Sequence, residues 1–434
     1  MIDVTVNKNL KTSQADEEYW ELTLTKIPRG TQTMSKAPDQ FVDGVHPKFI
    51  ERGEGAYVYD YEGNKYLDYP MALGPILLGH CHPEVNQAVK DQMEKGTCFS
   101  LPSRLEYELA AIIRNEVPCA EDVRFAKNGT DANLGAVRAA RSFTNRENIL
   151  YYGYHGWGDW YAAATERNHG VPKCLQECVF EFKYNDLLDL EQKIQKHTPA
   201  AIIMEACSLT KPANGFLQGV RNLANTYGIV LIFDEVVTGF RWSIGGAQHK
   251  YVVHPDLCTM GKGAANGYPL SFVCGNKKIM KEFNHIFFSS TFGGELLSIA
   301  AAIKTIEILK TKDYNHIWSL GQKLHDGINK AIKDNYMEGA IELVGEPPRH
   351  NLRLKERANP LIKDYFYQEM IRRGILWGNV IYITFAHTEE HIDYTIKCAN
   401  EILEDLKEKL SGEGDPFENL LDGKQSVAIF RKNT

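Results

Sequence analysis

The chain has 434 residues, 43% hydrophobic and 24% charged, which is ordinary globular usage and excludes a disordered, collagen-like or coiled-coil protein. Its formal net charge of −7 comes without a basic stripe, which argues against binding to duplex nucleic acid or to an anionic membrane surface. No apolar run approaches the roughly 18 residues of a bilayer span, and nine scattered cysteines without a C-x-x-C argue for a reducing cytoplasm rather than a disulfide framework.

The first 40 residues are polar and aperiodic and read as an arm with some helix. They hold no apolar stretch behind a basic start, so no secretory signal is expected. Residues 55–69 (GAYVYDYEGNKYLDY) alternate aromatic and β-branched positions around Glu62-Gly63-Asn64, which predicts a hairpin. From about 85 to 310, short apolar runs alternate with helical periods. Residues 149–153, 201–206, 229–236 and 270–274 read as strands buried on both faces, with helices at 187–196 and 219–227 among them. This alternation predicts an α/β doubly wound domain with a mostly parallel sheet, whose chemistry sits at the carboxyl ends of the strands. A long helix follows at 295–310. Beyond it, strands near 340–344 and 380–385 and a helix near 389–410 indicate a second, smaller α+β region. Residues 411–434 open with Ser-Gly-Glu-Gly-Asp-Pro and read as a linker and tail.

Four segments could carry chemistry. Asp234 ends the apolar run IVLIF, where a carboxylate is costly without a partner. It either caps a helix or pairs with Arg241, or it faces a cationic ligand group at the sheet edge. Lys262 lies between Gly261 and Gly263, which reads either as an exposed loop lysine or as a flexible amine able to form a Schiff base. Asn128-Gly129-Thr130 runs into a helix of small residues, either as an ordinary N-cap or as a phosphate seat. Tyr154-His155-Gly156-Trp157 follows the strand at 149–153, where an aromatic packs in the core or stacks on a planar ligand. Glu205 likewise ends a strand. His80-Cys81-His82 alternates metal-ligand residue types but has no third and fourth ligand clustered nearby, so a structural loop is preferred and no metal is expected.

These pieces resemble the class III family of pyridoxal 5′-phosphate (PLP) aminotransferases, in particular the glutamate-1-semialdehyde aminomutase branch. The resemblance rests on GAYVYDYEGNKYLD (55–68), LGHCHPEV (78–85), FAKNGTDAN (125–133), YHG (154–156), DEVVTGFR (234–241), HPDLCTMGK (254–262), STFGGE (290–295) and AHTEEHID (386–393). They cover nearly the whole chain in the family's order, and the DEV-x-TGFR element followed 28 residues later by the lysine is the specific one.

The resemblance implies PLP fold type I. Residues 1–84 would be an arm and part of a small domain, 85–310 the large PLP-binding domain, and 311–434 the rest of the small domain and the tail. It implies a cytoplasmic homodimer with shared active sites, acting on a small-molecule amino donor and carbonyl acceptor. Lys262 would hold PLP as a Schiff base and move protons, and Asp234 would pair with the pyridine nitrogen. Asn128, Gly129 and Thr130 would seat the phosphate with Thr291 of the partner subunit. Tyr154 and Val236 would flank the ring, with His155 and Glu205 also against the cofactor. The implied activity is an aminotransferase that moves an amino group from an amino acid to an aldehyde or ketone. The alternative is an intramolecular 2,1-aminomutase. Asn128 stands where the aminomutase branch has serine, Gly293-Gly294-Glu295 where many members have a Gly-Asn-Pro turn, and Ala206 where proline follows the glutamate. Trp157 and Trp160 add bulk beside the ring-stacking segment. These changes resemble aminomutase-like enzymes of polysaccharide or secondary-metabolite pathways.

Overall fold

In the computed structural model, which describes residues 2–427, the short apolar runs of the middle of the chain become one seven-stranded sheet. The strands are β1 (Asp122–Ala126), β2 (Ile149–Tyr152), β3 (Val179–Glu181), β4 (Ala201–Met204), β5 (Val230–Glu235), β6 (Leu257–Met260) and β7 (Ser271–Gly275). Their spatial order is β1-β7-β6-β5-β4-β2-β3. Neighbours from β6 through to β3 are parallel, and β7 runs antiparallel to both of its neighbours. The sheet belongs to one of two units, formed by residues 83–314. The other unit joins the residues before Pro83 to those from Asn315 on.

The period-2 geometry of a strand, with both faces buried, explains why β2, β4 and the first four residues of β5 are apolar at every position. Tyr151, Ile203 and Ile232 enter one core together with Ala132, Ala136, Ala139 and Ala140 of helix α1 (Gly129–Thr144). Leu150, Ile202, Leu231 and Phe233 enter the opposite core, against Leu190 and Ile194 of α2 (Leu187–His197) and Val220 and Ala224 of α3 (Phe216–Tyr227). Each fully buried Leu, Ile or Phe contributes about 1.5–3 kcal/mol, counted against an extended chain. The sheet therefore has fold type I character, a mostly parallel α/β layer covered on both faces. The helix at the end of this unit, α4, spans Leu296–Leu309 and is capped by Glu295, whose carboxylate accepts from the Leu297 and Ser298 N–H groups.

Three strands of this sheet lie outside the segments predicted as strands. β1 and β3 are the two edges of the sheet, where charged residues such as Asp122, Arg124 and Glu181 interrupt an apolar pattern. β6 reads LCTM, too short and too mixed to stand out.

In the other unit, Tyr57–Tyr59 and Lys65–Asp68 form the expected hairpin, with Gly63 at φ 81° in its turn. Arg52–Glu54 and Ile375–Leu376 complete a four-stranded sheet. A three-stranded sheet joins Ile341–Glu346, Arg349–Leu354 and Ile381–Tyr382. The strand expected over 380–385 is limited to two residues, because Thr384 turns away and its N–H and hydroxyl bond His387 Nδ1 at 3.2 and 3.0 Å. Helices Asn315–Asp334, Pro360–Arg372 and Glu389–Leu410 cover these sheets, and the arm contains Gln14–Leu24. His80 Nε2 bonds Asp68 Oδ2 at 2.8 Å. Residues 411–427 are irregular, and the rest of the expected tail lies outside the described residues. Among the described residues no helix is long and apolar enough to cross a membrane.

Candidate active site

The carboxyl ends of β2, β4, β5 and β6 carry Gly153, Glu205, Asp234 and Lys262 in turn, four neighbouring strand exits of one sheet. Asp234 pairs in register with Thr259 across β5 and β6, and Lys262 follows Thr259 after Met260 and Gly261. The topology thus brings the lysine and the aspartate, 28 residues apart in sequence, to adjacent strand ends.

Asp234 is buried, yet three donors hold it. His155 Nδ1 lies 2.8 Å and Asn133 Nδ2 2.7 Å from Oδ2, and the Val236 N–H donates to Oδ1 at 3.0 Å. His155 Nε2 is 3.0 Å from the Tyr152 carbonyl. Thr259 donates its hydroxyl to Asn133 Oδ1 at 2.7 Å, which aims the Asn133 amide nitrogen at Asp234. Four lone-pair positions against three protein donors leave the carboxylate room for one further N–H.

Asn128, Gly129 and Thr130 form the start of α1. The Asn128 N–H donates to Asp131 Oδ2 at 2.8 Å and its carbonyl accepts from Ser271 Oγ at 2.6 Å, so the helix start is tied to β7. First-turn N–H groups have no partner within a helix and favour an anion. Glycine is required here by proximity. A Cβ on Gly129 would stand 2.7 Å from Val236 Cγ1, and one on Gly156, at φ 95°, would overlap Thr130 Oγ1. The helix start therefore touches both Val236 and the YHG turn.

Glu205 is buried beside Gly153, whose absent Cβ would lie 3.1 Å from Glu205 Cγ. Burial and the neighbouring Glu205 charge push the Tyr152 phenol up to about 12. Tyr154 is exposed and meets Tyr161 edge-on at 5.7 Å. Thr291 is exposed on the turn over 291–294. Two members of the network were not singled out from sequence. Asn133 sits inside a helix and Thr259 inside a strand, and no spacing rule marks either as a partner of Asp234.

This set fits PLP: a buried carboxylate with one free acceptor position for a ring N–H, a helix start for a phosphate, and an amine on the adjacent strand end. Comparison with known proteins agrees. Residues 41–385 match the family model described as aminotransferase class-III. The chain is 36% identical over 400 residues to a 3-aminobutyryl-CoA aminotransferase of Cloacimonas acidaminovorans, covering 88% of this chain and 95% of that protein. It is 31% identical over 434 residues to a glutamate-1-semialdehyde 2,1-aminomutase of Alkaliphilus metalliredigens, covering 92% and 98%. The structure of the PLP internal aldimine form of the FumI protein of Sphingopyxis sp. MTA144 superposes with a TM-score of 0.86 at 23% identity, covering 94% of this chain and all of that one. The chain belongs to the class-III aminotransferase family and is a PLP-dependent enzyme of its aminotransferase and aminomutase group.

Proposed function

We propose that the protein is a cytoplasmic homodimeric aminotransferase that moves an amino group from an amino-acid donor to an aldehyde or ketone. The observation that carries this reading is the placement of Lys262 and the Asp234–His155–Asn133 network on adjacent strand ends. PLP, when bound, supplies an aldehyde for amine exchange and a ring that accepts the electrons of a broken C–H bond. Asp234 would accept a hydrogen bond from the ring nitrogen, while His155 and Asn133 fix the carboxylate. The N–H groups of Gly129 and Thr130, after Asn128, hold the phosphate, completed by Thr291 of the partner subunit. Val236 and Tyr154 would flank the ring, with Glu205 also against the cofactor. Lys262 anchors the cofactor through Nζ. The Lys262 amine, when free, would take a proton from the substrate and return it, as base and then as acid.

The acceptor class follows from two supports. Asn128, Ala206 and the Gly293-Gly294-Glu295 turn depart from the aminomutase pattern toward enzymes of polysaccharide or secondary-metabolite biosynthesis. The relative at 36% identity is named for a 3-aminoacyl thioester. A screen of amine donors against sugar-related carbonyls and 3-oxoacyl thioesters, read by the cofactor spectrum, tests the reading. Conversion of the spectrum by a donor and its restoration by an acceptor is the expected result. Absence of colour in wild-type protein with excess PLP overturns it. The second reading, a 2,1-aminomutase, is favoured by the 31% identity along the full chain to that enzyme. An aminomutase turns over one substrate with no external acceptor, whereas an aminotransferase stops after half a reaction.

A further inference from the structure

Three cysteines from three separate segments meet at one point of the large unit. Cys258 on β6 and Cys274 on β7 stand opposite each other across the antiparallel ladder. Cys119 comes from the turn that precedes β1. All three are free thiols, and their sulfurs lie within 4.8 Å of one another. Isolated buried cysteines behave as small hydrophobes. Convergence of three onto a common centre is what a thiolate ligand set requires.

The surroundings are rigid. The Cys119 N–H donates to Gln248 Oε1 at 3.0 Å, and the Gln248 N–H and side-chain amide both donate to Glu235 Oε1, each at 3.0 Å. Glu235 Oε2 accepts from Thr238 Oγ1 at 2.9 Å and from the Ala247 N–H. The Cys258 sulfur lies 4.0 Å from Glu235 Oε1. These bonds hold the frame around the sulfurs and occupy the carboxylate, so the ligands on offer are the three sulfurs.

We propose that Cys119, Cys258 and Cys274 bind one zinc-class divalent cation, which clamps the turn at 117–121 to β6 and β7. Thiolate ligands select zinc, copper(I) and iron–sulfur clusters over magnesium, calcium or manganese. The common iron–sulfur clusters are held by four protein ligands, and three sulfurs meet here among the described residues. Three thiolates around a monovalent ion leave two net negative charges beside Glu235, and around a divalent ion one, so the lower burial cost favours the divalent ion. Zinc–sulfur bonds of about 2.3 Å set sulfurs roughly 3.8 Å apart, so closing from 4.8 Å asks for a movement of about 1 Å at most. Each thiol releases its proton to solvent as its sulfur ligates, and water fills the fourth position of a three-thiolate site.

The test uses reduced, chelator-treated holoenzyme carrying Cys81→Ser, Cys98→Ser, Cys174→Ser and Cys178→Ser, which removes the exposed and part-exposed thiols elsewhere. Titration with Cd2+ as the probe should show one equivalent bound per chain with thiolate-to-metal absorption, and Zn2+ should displace it and raise the melting temperature. Cys119→Ser, on a turn outside the sheet, should abolish both effects while keeping the metal-free melting temperature and circular dichroism of its parent. Should that variant not fold, alkylation of the folded parent decides. Zn2+ must protect Cys119, Cys258 and Cys274 together, at one equivalent. Substoichiometric uptake, equal uptake by Cys119→Ser, or alkylation unchanged by Zn2+ overturns the proposal.

Discussion

Asn133 donates its side-chain amide to Asp234 at 2.7 Å from the fifth position of α1, the helix whose first turn also offers the phosphate seat. One helix thereby carries both the proposed anion site and a donor to the carboxylate proposed to face the ring nitrogen. Replacing Asn133 with alanine removes a donor from a buried charged acceptor, a loss of about 1–3 kcal/mol. The expected result is a cofactor affinity weakened about 5- to 150-fold, measured by equilibrium dialysis of PLP. Thr259→Val leaves the amide in place but unaimed and should cost about 1 kcal/mol.

Lys262→Ala should abolish the borohydride-reducible link to PLP. Loss of the proton-carrying amine alone removes about 10²- to 10⁴-fold in kcat. Mass spectrometry after reduction checks the first outcome, and single-turnover kinetics the second. A reducible adduct on any other lysine in the wild type contradicts the assignment.

Gly129 and Val236 are coupled by contact, because a Cβ at 129 would stand 2.7 Å from Val236 Cγ1. Gly129→Ala should weaken PLP binding at least about tenfold, and Val236→Ala in the same chain should recover part of that loss. The double-mutant cycle should give a coupling above about 1 kcal/mol. Additive losses would show that the two sites do not share this space.

Burial pushes both His46 and His350 down to about 3. Among the described residues neither ring nitrogen of His350 has a hydrogen-bond partner, and the nearby Asp326 charge offsets only part of the burial cost. The unfolded chain binds protons at these positions below about pH 6.5 and the folded chain does not. Their contribution to stability is therefore complete above pH ~6.5 and is lost as pH falls toward 3. At about pH 5.5 each histidine should cost about 1.4 kcal/mol. Denaturant midpoints at about pH 7.5 and 5.5 measure this loss, and His350→Leu should reduce it by about half.

Much of the fold is legible in sequence because the central strands bury both faces: ILYY, AIIM and VLIFDE have no polar alternation to mislead the eye. The edge strands are not legible, because Arg124 and Glu181 belong to solvent as much as to the sheet. The hairpin at Tyr57–Asp68 is announced by Gly63, whose positive φ the turn demands. For the candidate site, family likeness and strand-end chemistry lead to Asp234 and Lys262, which are charged residues in apolar or glycine-rich settings. Asn133 and Thr259 carry no such contrast. Their importance arises from a meeting 126 positions apart that the sheet and helix create together.

The alanines that α1 turns toward β4 and β5 bear on how this enzyme could be re-engineered. Ala136 and Ala140 allow the helix to lie close to the strands, and its first turn sits where that closeness puts it. A valine or leucine introduced there would lift the axis and carry the anion seat with it. Selection for new substrates that admitted bulk at those positions would lose cofactor retention without altering a single ligand-facing atom. A mutant library should hold that helix face constant while it diversifies the loops.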